Sequence, residues 1–313
     1  MKLPRGMRSK RFGWIVRFVI GMTLLGLVLY TNRDEISEIV AKRPDLSAFA
    51  LGLLFYGLGL MLAYVRWYML VRSLSMAFQM ADAVRLGLIG AFFNFVIPGA
   101  VFGNAVRAGF LCRERPDEKP KAIASVLVDF IAGLAGLFLI AAIVSTWEFR
   151  RLNPRMKTLV PFTWVAVALT AVAMAMVFLP KRKKKSAARE FRKRWWAVPF
   201  AVVMGIGTHA LNVSAFYMVS RAMFGTRVPG LAEHFLIVPM VLFTTAVPLP
   251  FGALGVSEQA SAGLFGLMGY PGGAVAMLGF RLLQFAGAAV GGCVYMMNAK
   301  DLRKITAEDA SSS

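Results

Sequence analysis

Apolar runs close to twenty residues recur along this sequence, and a run of that length fixes the surroundings of a segment before it fixes the fold. About twenty helical residues at 1.5 Å each cross a ~30 Å hydrocarbon core. Such runs lie at Trp14–Tyr30, Leu46 to about Leu70, Ala122–Thr146, Leu159 to about Leu179, Trp195 to about Phe224 and Ala274–Asn298. With 58% of the 313 residues hydrophobic, little is left for a soluble domain. The expected fold class is an all-α polytopic membrane protein of about six spanning helices plus two re-entrant or broken helical hairpins in an inverted repeat.

The hairpins are read from two interruptions. Phe92 to Arg107 sets Asn94, Pro98, Gly99, Gly103, Asn104 and Arg107 in an otherwise apolar region. Pro98 cannot donate a backbone hydrogen bond and its ring crowds the preceding turn, so two half-helices meeting at a break are expected. Such a break must line protein or water. Phe243 to Glu258 repeats the pattern, with Pro250, Gly255 and Glu258 answering to Pro98, Gly103 and Arg107. Arms at about 82–97 and 99–112 reach roughly 21–24 Å, short of a full crossing; the second hairpin occupies about 231–268. Two interrupted segments at corresponding places in two halves point to a transporter site at an inverted-repeat interface. The alternative is a pair of kinked structural helices.

Charge sets the expected topology. Lys2, Arg5, Arg8, Lys10 and Arg11 precede the first run, and Lys181 to Arg194 carries the densest basic tract, so both are assigned to the cytoplasm. Arg66, Trp67 and Arg72 read as a cytoplasmic interface at the end of the second run. The loop with Arg150, Arg151, Arg155 and Lys157 must then lie outside, against the positive-inside tendency. Residues 1–299 are expected to form one integral membrane domain, with repeats at about 13–147 and 158–298, and 300–313 a disordered cytoplasmic tail. The formal charge of +20 is spread between apolar runs rather than over a folded basic face. Anionic lipid headgroups are therefore the expected partner of the basic tract, and nucleic acid is not.

Ionisable groups at membrane depth are costly and are functional candidates by default. Arg107, Asp129, Glu258 and Arg281 qualify, while Glu233 and His234 sit near a hairpin entrance. On the functional reading Arg107 and Arg281 hold an anionic lipid phosphate through the planar guanidinium fork, and Asp129 and Glu258 balance or release it. Asn104 and the free amides after Pro98 would favour an anion further. On the structural reading the four form buried pairs. His209 and His234 are isolated, so structural roles are expected and no metal or cofactor is. Cys112 and Cys293 show no redox or metal spacing. Gly287-x-x-x-Gly291 suits a helix-packing contact or chance. The sequence contains no Walker A motif and no GxSxG elbow, which argues against an ATP-driven pump or a serine hydrolase.

Phe95-x-x-Pro98-Gly99 leading to Gly103-Asn104-Ala105-Val106-Arg107, then Ala124 to Asp129, then Pro248-x-Pro250 with Gly255-Val256-Ser257-Glu258, and last Arg281, resembles the lysylphosphatidylglycerol synthase transmembrane-region family. The likeness covers nearly the whole chain. It departs at two places: Asn104 stands where the family often has Asp, and Phe130 where Arg often follows the Asp. In the bifunctional synthases this domain is linked to moving aminoacylated phosphatidylglycerol between leaflets, and a separate soluble domain makes the lipid. The resemblance implies a stand-alone flippase-like protein of a bacterial inner membrane and leaves its headgroup open. Three functions are weighed: movement or binding of an anionic phospholipid or lipid-linked headgroup without ATP; an accessory membrane subunit of a separate lipid-modifying or glycosyl-transferring enzyme; and a membrane-embedded transferase using Asp129 and Glu258.

Overall fold

The computed structural model describes residues 43–96, 102–150, 154–178, 187–245 and 253–311, with Leu152 and scattered positions between 23 and 41. Among these residues the secondary structure is helical, with no strand. In chain order the helices are α1 (Leu46–Ser73), α2 (Met80–Val96), α3 (Phe102–Glu114), α4 (Lys119–Trp147), the single turn α5 (Pro154–Lys157), α6 (Val160–Phe178), the short α7 (Ala187–Lys193), α8 (Ala197–Phe224), α9 (Leu231–Thr245), α10 (Val256–Gly266) and α11 (Gly273–Ser311). Five segments are long and apolar enough to cross a bilayer: Leu46–Ser73, Pro116–Trp147, Pro154–Phe178, Ala197–Phe224 and Gly273–Asn298. The run Trp14–Tyr30 lies largely outside the described residues.

Local chemistry starts and stops these helices. Asp45 caps α1: its Oδ1 accepts from the amides of Ser47 and Ala48 at 2.9 and 3.2 Å and from the Ser47 hydroxyl at 2.6 Å. Those hydrogen bonds, the Ser47 hydroxyl first, hold the Asp45 carboxyl below its ordinary range. Gly225, at φ 64°, ends α8 in a conformation that a side chain would strain. The outer face of α6 explains its surroundings. Phe162, Val165, Leu169, Val172 and Met176 recur every three or four residues and are all more than half open or close to it, a stripe that only lipid can face.

The helices α1 and α8 pack along their whole length and run antiparallel. Gly52 faces Ala215 and Val219, and Gly59 faces Thr208 and Asn212. At one end the Asp45 amide donates to Ala222 O at 2.9 Å, and at the other Arg194 Nη1 donates to Arg72 O at 2.6 Å. Between helices in lipid the driving force is close packing rather than burial from water. Gly136 on α4 and Gly205 on α8 meet so closely that an added Cβ at Gly136 would fall on the Gly205 backbone.

Each interrupted segment folds as two short helices. At 1.5 Å per residue α2, α3, α9 and α10 reach roughly 25, 20, 22 and 16 Å, all below a ~30 Å core. Each hairpin packs across to the other half: α2 lies on α11 and α9 on α4. Gly291 meets the backbone of Leu88, Tyr295 packs on Phe93 with ring centroids 5.1 Å apart, and Phe138 packs on Phe243 at 5.0 Å. Gly287 faces Tyr56 of α1, so Gly287 and Gly291 both serve as contact points. A buried aromatic group, Phe216 with Phe265 and Phe280, joins α8, α10 and α11.

The helix α11 continues from the last crossing to Ser311; the segment from 300 contains neither Gly nor Pro, so no local signal stops the helix. One expectation is corrected. Arg66 and Trp67, expected at a water interface, are buried at 7% and 0% exposure, while Arg72 is exposed. The helix α1 runs on to Ser73, which places Arg66 about 10 Å before its end.

Candidate functional site

A cavity of about 260 Å³ lies where α1, α3, α4, α8, α9 and α11 converge, so both halves of the chain build it. Its charged wall is assembled around one carboxylate. Asp129 sits in the interior of α4, 2% exposed, among apolar residues that could not solvate it. Its Oδ1 accepts from Arg66 Nε of α1 at 2.8 Å, and its Oδ2 accepts from Arg107 Nη1 and Nη2 of α3 at 3.3 Å each. Two guanidinium groups thus flank a single carboxylate, leaving one positive charge in excess.

Neighbouring residues hold the two arginines in place. The Arg107 guanidinium carbon lies 3.9 Å from the ring centroid of Trp67, a cation–π contact, and Trp67 Nε1 donates to Ser125 Oγ at 3.3 Å. Asn104, one turn before Arg107, accepts from Arg107 Nη1 through Oδ1 at 3.1 Å. Gly133 and Gly205 make room for Arg66: a Cβ added at Gly133 would lie 3.2 Å from Nη2, and one at Gly205 3.4 Å from Nη1. The hairpin itself is tied by Asn94, whose Oδ1 accepts from the Gly103 amide at 2.8 Å, a bond that reaches from α2 to the first turn of α3.

Several polar atoms around the cavity are left without a partner among the described residues. They are Arg66 Nη1, Arg107 Nε, His209 Nδ1 and Asn212 Oδ1, all on residues that line it. Buried polar groups are normally satisfied, so a cluster of unmet donors and acceptors around one space makes it the candidate binding place among the described residues. His234 differs: its ring nitrogens lie 2.9 Å from Gly230 O and 3.3 Å from Ser220 Oγ, and Phe216, Tyr217 and Phe265 enclose it.

The second half holds a second ion pair. Glu258, the third residue of α10, accepts from Arg281 Nε of α11 at 2.6 Å through Oε1 and from the Gly255 amide at 2.6 Å through Oε2. Arg281 Nη2 also donates to Ser257 Oγ at 3.2 Å. Glu258 is 0% exposed and Arg281 1% exposed. Among the described residues Glu258 and Arg281 form one ion pair, and neither lines the cavity.

The candidates from sequence therefore divide. Asn104, Arg107 and Asp129 come together on the cavity wall, and Asn94 and Gly103 support the hairpin that carries two of them. Gly255, Glu258 and Arg281 form a separate cluster. Pro98 and Pro250 lie outside the described residues. Arg107 is not joined to Glu258 across the halves: Arg107 pairs with Asp129 on α4 and Glu258 with Arg281 on α11, the last crossing of each half. Arg66, Trp67, His209 and Asn212 were not expected at a site. The signal for Arg66 was its place inside an apolar run, four residues before the run was read to end.

A family model described as "Lysylphosphatidylglycerol synthase TM region" matches residues 14–292. None of the curated proteins compared matches the chain.

Proposed function

Because this chain belongs to the lysylphosphatidylglycerol synthase TM region family, we propose that it is a flippase-like protein of a bacterial inner membrane, whose central cavity receives the phosphate of an anionic phospholipid or lipid-linked headgroup on its way between leaflets. The observation that carries this is the contrast between the two ion clusters. Where charge serves packing, as at Glu258 and Arg281, cation and anion are matched and enclosed. Around Asp129 there is an extra guanidinium, one N–H-bearing nitrogen of each arginine has no partner among the described residues, and both arginines line a cavity. A guanidinium offers parallel donors to phosphate, and a buried excess positive charge is stabilised when an anion arrives.

The antiparallel packing of α1 on α8 and the crossed docking of α2 on α11 and α9 on α4 support an inverted repeat, with both termini and the Lys181 to Arg194 tract cytoplasmic. A transferase reading draws less support. All four oxygens of Asp129 and Glu258 accept hydrogen bonds, three of them from guanidinium groups, so each carboxylate is engaged in holding its neighbours. The test is movement of a labelled anionic phospholipid between leaflets of vesicles containing the purified protein. Faster movement than in protein-free vesicles, without ATP, is expected; equal rates overturn the proposal.

A further inference from the structure

The cavity's remaining chemistry indicates which headgroup it takes, and this step rests on the reading of the cavity as a headgroup site. We infer that the site selects a phospholipid whose phosphodiester is its only charge and whose headgroup is an uncharged polyol, over lipids that carry an amine.

The reasoning starts from what an ammonium group would need. A headgroup amine at membrane depth requires a carboxylate that is not already neutralised. The chain has 16 acidic residues, and among the described residues Asp129 and Glu258 are the two that are buried. Asp129 already faces two guanidinium groups, and Glu258 is enclosed with Arg281 away from the cavity. The segments 97–101 and 246–252 contain no acidic residue. An amine brought into the cavity would therefore meet an excess of positive charge.

The uncharged polar groups point the same way. Asn104, Asn212, Thr245, His209 and Gln284 line the space, and Asn212 Oδ1 and His209 Nδ1 have no partner among the described residues. Amide, imidazole and hydroxyl groups donate to and accept from hydroxyls, as a glycerol headgroup requires. Asn104 is the decisive position. Its Oδ1 accepts from Arg107 at 3.1 Å, where a carboxylate would cancel the excess charge. Phe130, on the same wall, adds neither charge nor hydrogen-bonding capacity. With one net positive charge and neutral polar groups, the cavity matches one phosphodiester and its hydroxyls.

The experiment uses the full-length protein in detergent, mixed with equal amounts of phosphatidylglycerol, phosphatidylethanolamine and lysylphosphatidylglycerol of matched acyl chains, and native mass spectrometry of the lipid retained. Phosphatidylglycerol should be retained over the lysyl ester by at least about tenfold, with phosphatidylethanolamine between them. Asn104→Asp should narrow or reverse that order. If Asn104→Asp does not fold, Gln284→Glu places a carboxylate on the cavity lining from α11 and should shift retention in the same direction. Equal or tighter retention of lysylphosphatidylglycerol by the unaltered protein overturns the selectivity while leaving the site in place. If instead all three lipids are retained equally and neither Arg66→Gln nor Arg107→Gln changes any of them, the cavity is not a headgroup site at all. Water-soluble glycerophosphoglycerol should compete weakly; displacement as strong as by the lipid would assign the cavity to a soluble phosphodiester and overturn the lipid assignment.

Discussion

Arg66 and Asp129 stand 63 positions apart in sequence, and the Nε of one donates to the Oδ1 of the other at 2.8 Å inside the protein. That contact joins α1 to α4 and uses one edge of the Arg66 guanidinium, leaving Nη1 with no partner among the described residues on a side chain that lines the cavity. Asp129 thereby works as an anchor shared by two arginines rather than as the counter-ion of one.

Removing the anchor should cost more than removing either arginine. Asp129→Asn leaves two buried guanidinium groups without a counter-charge, and breaking a buried pair costs about 3–5 kcal/mol. Arg66→Gln leaves Asp129 still paired with Arg107. Thermal melting of the purified variants should place Asp129→Asn well below Arg66→Gln. Equal losses would mean that Asp129 is not the shared anchor.

Glu258 and Arg281 should behave as a closed structural pair. Glu258→Gln strands a buried Arg281 and is expected to lose about 3–5 kcal/mol, while the double change Glu258→Gln with Arg281→Met should lose less than the two single losses added together. A double-mutant cycle on melting temperature measures the coupling. Strict additivity would dissolve the pair as an energetic unit.

Two glycines separate packing from function. Gly136→Val sets a side chain against the Gly205 backbone, where neither helix can yield locally, and should cost at least about 1–3 kcal/mol and lower expression. Gly133→Ala places its Cβ 3.2 Å from Arg66 Nη2, at the end of a flexible side chain. It should fold and bind lipid more weakly. Melting curves and lipid retention on both variants check the distinction.

The topology can be read by labelling. Arg155, exposed within α5, should as a lone cysteine react with an impermeant maleimide in intact cells, in a background where Cys112 and Cys293 are replaced. Reaction only after permeabilisation from outside would break the inverted arrangement.

The helical pattern was legible because apolar runs and Pro/Gly interruptions are local signals, and the hairpin arms fall within a few residues of where Pro98 and Pro250 divide the sequence. Arg107 and Asp129 stood out as charges within apolar runs. Arg66 did not, since a charge followed by Trp67 and Arg72 looks like the end of a crossing, and only the continuation of α1 to Ser73 places it inside. His209 and Asn212 are isolated polar residues in α8, and the antiparallel contact with α1 is what brings them to the cavity that Arg66 lines. Pairing is tertiary information: nothing local tells Arg107 to choose Asp129 over Glu258.

The most direct measurement pairs a leaflet-movement assay with a melting curve on Arg107→Lys and Arg107→Ala. If Arg107 holds a phosphate, the lysine variant keeps the charge but loses the fork. Movement should then fall by about tenfold or more, while melting stays within a few degrees of the unaltered protein. Full lipid movement by a well-folded Arg107→Ala protein would contradict the account and remove Arg107 from the site.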